Sequence, residues 1–186
     1  MRVISGEAKG RRLKTPGDER IRPTADKIKG ALFSIIGERV RDAHVLDLFA
    51  GTGNLGIEAL SRGARFVHFV DADKGAESII RENLIRVKFE DRACVWRTDA
   101  ITALSRLERT GQRFDLIFSD PPYGRQLNQK ALAMLSNGEF IVEDGLVVLE
   151  HHRKELFPPQ KTALLKIDER RFGETVLTFY HQKVES

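Results

Sequence analysis

Two short stretches of this sequence combine residue types that could do chemistry: Gly51-Thr52-Gly53-Asn54-Leu55-Gly56 and Asp120-Pro121-Pro122-Tyr123. In the first, glycines recur with G-x-G-x-x-G spacing after a strand-like run and before a helical one. The missing side chains let backbone approach a ligand closely. Asp71 lies 20 residues beyond Gly51, at the end of the run FVHFVD, where a carboxylate can accept both hydroxyl hydrogens of a ribose. Loop and acid together point to an adenosine-containing ligand. They leave open a dinucleotide or S-adenosylmethionine, because both bind at the carboxyl ends of parallel strands.

The second stretch is a stiff corner. Two prolines fix φ and remove two backbone donors, so the turn presents carbonyls with few local N–H partners. A carboxylate, a free carbonyl and an aromatic ring then stand close together. That set suits a planar base held by its exocyclic amine, with Asp120 and the Pro121 carbonyl accepting its two N–H bonds and Tyr123 stacking on the ring.

The elements that must position these groups follow from periodicity. Ile28, Ala31, Leu32, Ile35 and Ile36 repeat at helical spacing after Thr24 and the early acid Asp26, which predicts a helix over 25–36. Beyond it, strand-like runs alternate with helical ones. Strands are expected at 45–49, 65–70, 93–97, 114–118 and 145–150, and helices at 55–60, 75–87, 101–107 and 129–135. This alternation means crossover units and a parallel sheet covered on both faces. The segments 162–167 and 175–180 are joined by a polar stretch containing Gly173, too short for a crossover helix, and so predict an antiparallel hairpin at the sheet edge.

With 186 residues, 41% hydrophobic and 31% charged, the chain suits one globular domain with a substantial core. Its longest apolar runs are too short to span a bilayer, and its basic N-terminal stretch lacks the apolar segment of a secretory signal. One cysteine permits no internal disulfide, so a reducing cytoplasm is the expected compartment. Cys94, inside ACVW, reads as buried apolar filler, and Trp96 reads as core. His151 and His152 are adjacent and lack ligand spacing with any acid, so no metal is expected.

The net charge of +4 is localised. Residues 1–24 carry seven basic side chains against three acids, and the rest of the chain is balanced. The sequence therefore divides into a basic extension, 1–24, and a main domain, 25–186. Clustering of this kind suits contact with phosphates, which makes Arg2, Lys9, Arg11, Arg12, Lys14 and Arg22 the candidate phosphate contacts, and RNA contacts should the partner be RNA.

VLDLFAGTGNLGIEAL at 45–60, VDAD at 70–73 and DPPY at 120–123 resemble the motifs of amino-directed, S-adenosylmethionine-dependent methyltransferases. The opening MRVISGEAKGRRLKTP with RPTADKIKGALFSII is similar to the bacterial family that methylates the N2 amine of a guanine, guanine 966, in 16S ribosomal RNA. The resemblance covers nearly the whole chain. It implies an α/β fold, a seven-stranded Rossmann-like sheet of order 3-2-1-4-5-7-6 with the last strand antiparallel and a short basic N-terminal extension. It also implies S-adenosylmethionine as cofactor, and 16S ribosomal RNA as partner, within the small subunit or an assembly intermediate. Carried over by position, Gly51, Gly53 and Gly56 would cradle the methionine half with Asp47 beneath. Asp71 would take the ribose, Asp99 with Ala100 would sit near the adenine amine, and Asp120, Pro121, Pro122 and Tyr123 would be catalytic. A nucleotide-dependent dehydrogenase, a DNA adenine-N6 methyltransferase and a non-catalytic ribosome-assembly factor are the alternatives.

Overall fold

The computed structural model describes residues 1–17, 23–122, 127–155 and 164–182. The chain runs α1 (Pro23–Ile36), β1 (His44–Leu48), α2 (Asn54–Ser61), β2 (Phe66–Asp71), α3 (Lys74–Val87), β3 (Ala93–Arg97) and α4 (Ala100–Thr110). It continues through β4 (Phe114–Ser119), α5 (Leu127–Asn137), β5 (Ile141–His152), β6 (Leu164–Phe172) and β7 (Thr175–Gln182). The strands form a single sheet of order β3-β2-β1-β4-β5-β7-β6. The first five are parallel, and β7 runs antiparallel to both β5 and β6.

The central strands are buried on both faces, which is why they read as continuous apolar runs. On one face Val45, Leu116, Phe118 and Val148 meet Ile28, Leu32, Ile57, Leu60 and Ile80 from α1, α2 and α3. On the other, Leu46, Leu48, Ile117 and Leu149 meet Ala103, Leu107, Ala131 and Leu135 from α4 and α5. Each such Leu, Ile or Phe removed from water contributes about 1.5–3 kcal/mol. Asp73 and Asp99 cap α3 and α4 by accepting from the amides three residues on, which fixes where those helices leave the sheet.

The hairpin stands where the sequence places it, with a longer first strand. The polar stretch Asp168–Arg171, expected as a connection, is part of β6. An edge strand needs one hydrogen-bonding neighbour and can face solvent, so it carries no apolar signature. The link shrinks to Gly173 and Glu174 between the paired Phe172 and Thr175, and Gly173 supplies the positive φ of +65° that a two-residue link needs. β5 begins at Ile141 rather than Gly145, with Ile141 paired to Phe114 across a register shift.

The N-terminal segment is not a loose tail. Val3, Ala8 and Leu13 are buried in the core on the α1–α3 side. The Ile4 and Ser5 amides donate to the Glu58 carboxylate (2.8 and 3.0 Å), and the Ala8 amide donates to Ser61 Oγ (2.9 Å). Among the described residues, no helix is long and apolar enough to cross a membrane.

Candidate active site

Strand order reverses at β1, which lies between β2 and β4. In open α/β sheets, ligands bind outside the carboxyl ends of the strands at this switch point. Both motifs converge there. Leu48, the last residue of β1, is in register with Ser119, the last of β4, so the glycine loop and the Asp120-Pro121-Pro122 corner leave the sheet side by side.

The loop turns through left-handed backbone at Phe49 (φ +62°), Gly51 (φ +56°) and Gly53 (φ +77°). Phe49 is the unexpected member, since a bulky residue holds that conformation at a cost of about 1–3 kcal/mol. The three motif glycines serve different ends. A Cβ on Gly51 would meet nothing within 4 Å, so there is open space beside its backbone. A Cβ on Gly56 would lie 2.3 Å from the Phe69 ring and 2.8 Å from Val67, so this glycine admits α2 against β2. A Cβ on Gly53 would sit 3.2–3.4 Å from Ile57, Phe69 and Ile80. Gly56, expected to cradle a cofactor, is also the glycine that lets α2 pack on β2.

The carboxylates are placed by backbone donors. Asp71, at the end of β2, accepts from the Gly51 amide through one oxygen (2.8 Å) and from the Asp73 amide through the other (2.9 Å). It shapes the loop and keeps further acceptor capacity on each oxygen. Asp47 is buried and accepts from the Gly56 amide (2.9 Å). Burial pushes its carboxyl up to about 7, against the pull of that amide and with a further push from Asp71. Asp99 uses its carboxylate locally: Oδ1 takes the Thr102 amide (2.9 Å) and Oδ2 the Thr102 hydroxyl (2.7 Å), which hold its carboxyl below the usual range. Its role as helix cap is complete without a ligand, and Ala100 behind it is buried.

In the corner, Pro121 is buried and Pro122 exposed, while Tyr123 lies outside the described residues, as does Arg22. Burial, then the charges of Glu150 and Asp47, hold the Asp120 carboxyl well above the ordinary range. Burial raises Glu150 as well. In the sequence Glu150 reads only as a strand terminus, and nothing there marks Asn128. The Asn128 side chain, buried on α5, accepts from Ser119 Oγ (2.9 Å) and donates to the Glu150 carbonyl (2.8 Å), tying the ends of β4 and β5 together.

The extension reaches the same loop. Asn83 Nδ2 donates to the carbonyls of Lys14 (3.0 Å) and Thr52 (2.9 Å), and its Oδ1 accepts from the Lys14 amide (2.6 Å). Lys29 Nζ donates to Asn54 Oδ1 (2.6 Å) and to the Arg2 carbonyl (2.7 Å). Along the extension, Arg2 pairs with Asp26 and Lys14 with Glu82, and Arg11 donates to the Arg86 carbonyl. Lys9 and Arg12 are exposed.

Elsewhere Cys94 is half-buried, and burial pushes its thiol up to about 11, the state of an unreactive filler. Trp96 packs against the α4–α5 side of the core with the Arg106 guanidinium 4.5 Å above its ring. Among the described residues no cluster of His, Cys, Asp or Glu has a metal-binding arrangement.

Residues 1–181 match the family model described as Conserved hypothetical protein 95. The Bacillus subtilis (strain 168) protein named "Putative rRNA methyltransferase YlbH" is 39% identical over 183 residues, 98% of this chain and 100% of the relative. The Haemophilus influenzae protein named Ribosomal RNA small subunit methyltransferase D is 31% identical over 89% of this chain and 86% of its own. A solved Escherichia coli structure titled "Putative methyltransferase yhhF" superposes with a TM-score of 0.87 at 27% identity, covering 100% of this chain and 99% of that one. The sheet order, the meeting of both motifs at the switch point and these matches over nearly the full length agree: the chain belongs to the small-subunit ribosomal RNA methyltransferase D family, on the S-adenosylmethionine-dependent methyltransferase fold.

Proposed function

We propose that the protein transfers a methyl group from S-adenosylmethionine to the exocyclic N2 amine of a guanine, guanine 966, in 16S ribosomal RNA. Residues 1–24 act as the RNA-contacting extension of a methyltransferase domain spanning 25–186. The observation that carries this reading is the register of Leu48 with Ser119, which sets the open Gly51 backbone beside the Asp120-Pro121 corner. The names borne by the relatives support the choice of ribosomal RNA.

The residues present fit the donor. Gly51 leaves open space over the end of β1, and Asp71 retains acceptor capacity for a diol. When bound, S-adenosylmethionine supplies an electrophilic methyl on a sulfonium. Holding a nucleophile in line with such a carbon contributes roughly 7 to 11 kcal/mol by positioning alone.

The amine is the difficult partner, because its lone pair is delocalised into the ring. Asp120 and the Pro121 carbonyl accept the two N–H bonds, and these bonds strengthen as nitrogen becomes tetrahedral and positive. A gain confined to the transition state raises the rate and not merely the affinity. A base that leaves its stack to reach this corner is compensated by stacking on Tyr123, worth roughly 1 to 3 kcal/mol. Unpaired loops of RNA lose least by such extrusion.

The test is to incubate the protein and methyl-labelled donor with small ribosomal subunits lacking the modification, then map the label. Label on the N2 amine of one guanine of 16S RNA is the expected result. Label in DNA adenine, or RNA binding without transfer that persists unchanged in Asp120→Ala, would overturn it.

A further inference from the structure

The geometry points to Glu150 as a positioning residue that acts through Asp120, so that the pair of carboxylates receives the proton released when the amine is methylated. This deepens the reading above and rests on it. Ser119 and Leu149 are register partners in parallel strands, so Asp120 and Glu150, one residue further on, stand next to one another. Phe118 and Val148 both face the α1–α3 side of the core, and side chains alternate along a strand, so Asp120 and Glu150 share that face two residues later. Both strand ends are tied to Asn128, which fixes the separation of the two acids.

Two like charges fixed side by side and half-buried cost stability, and among the described residues no cation bears on Asp120. The charges bearing on Asp120 are Glu150 from β5 and Asp47 from β1. The buried Lys29 of α1 is closed on Glu58 of α2, and the β7 residue beside Glu150 is Leu177. Such a pair takes up one proton readily and gives up two reluctantly.

The transfer balances with that proton in place. A C–N bond forms, the S–CH3 bond breaks with its electron pair remaining on sulfur, and the sulfonium becomes a neutral thioether. The nitrogen, now cationic, passes one N–H proton to Asp120. Glu150 keeps Asp120 basic enough to hold it until water carries it off.

The first measurement needs neither donor nor RNA. Carbon-13 NMR of the side-chain carboxyls in the parent protein should show Asp120 and Glu150 titrating in two coupled steps. In Glu150→Gln, Asp120 should titrate in one step at a pH lower by about one unit or more. In single-turnover transfer to small-subunit RNA, the acid limb of the rate profile should move down by the same amount. The plateau should fall about tenfold, with donor and RNA affinities unchanged, and Glu150→Asp should recover part of the loss. An Asp120 titration that ignores Glu150→Gln overturns the proposal. So does a lower plateau with the acid limb unmoved, which would make Glu150 purely architectural. Should Glu150→Gln not fold, Glu150→Asp is read by the same two measurements. A parent that transfers no methyl to RNA refutes the functional reading before any variant is made, and the NMR titration still decides the pairing separately.

Discussion

Lys29 Nζ and Glu58 Oε2 stand 3.1 Å apart with both side chains closed to solvent, and their contact joins α1 to the helix that leaves the glycine loop. Glu58 also takes the amides of Ile4 and Ser5 and the Arg62 guanidinium, so one carboxylate fastens extension, loop helix and core. Burial lowers the Lys29 ammonium, and Glu58 is the strongest of the groups that pull it back up. Breaking a buried pair is costly because the surviving charge has no water. Lys29→Met should lose about 3–5 kcal/mol in urea unfolding and speed amide exchange at Ile4 and Ser5. Adding Glu58→Gln should recover part of the stability; a double variant weaker than the single one would contradict this account.

The motif glycines should separate by experiment. Gly56→Ala pushes a methyl into the Phe69 ring, which is backed by core, and should cost about 1–3 kcal/mol of folding stability. Gly51→Ala meets open space and bears only the penalty of left-handed backbone, about 1–2 kcal/mol. It should instead weaken donor binding, because the new methyl stands in the crevice. Calorimetric titration of S-adenosylmethionine beside denaturant curves distinguishes the two effects.

Asp47 gives the protein a predictable pH dependence. Its carboxyl titrates near 7 when folded, raised by burial, and near 3.9 when unfolded. The folded state therefore binds the proton more tightly. The contribution is fully present below about pH 4, fades as pH rises, and is gone above about 7, a span worth at most about 4 kcal/mol. Asp47→Asn should flatten the fall in stability between pH 4 and 7. Parallel stability curves for parent and variant, measured in urea across that window, would rule out the shift.

The extension is expected to hold RNA through its surface cations while its backbone holds the fold. Arg11→Ala, Arg12→Ala and Lys14→Ala combined should weaken RNA binding. They should also reduce the steepness of its salt dependence by about 0.7 for each phosphate that is no longer neutralised. Donor affinity should not change, because Asn83 grips Lys14 by its backbone and that grip survives side-chain truncation. Filter-binding isotherms at several salt concentrations provide the measurement, and equal slopes would remove the extension from RNA recognition.

The sequence alone determined the elements and their order, because fully buried strands and one-sided helices leave distinct periodicities that neighbours cannot erase. It marked the glycine loop and the proline corner because their conformational demands are local, and Asp71 by its spacing from Gly51 at a strand end. It was silent on β6 beyond Ile167, where an edge strand facing water needs no apolar pattern. Only the tertiary structure decided which glycine packs and which is open, since a Cβ clash at Gly56 depends on Phe69, a residue of another strand. It likewise fastened the basic N-terminal stretch to α2 and α3 and set Glu150 beside Asp120. That last neighbourhood comes from the register of two strands 30 residues apart, and side-chain periodicity within either strand carries no information about the other.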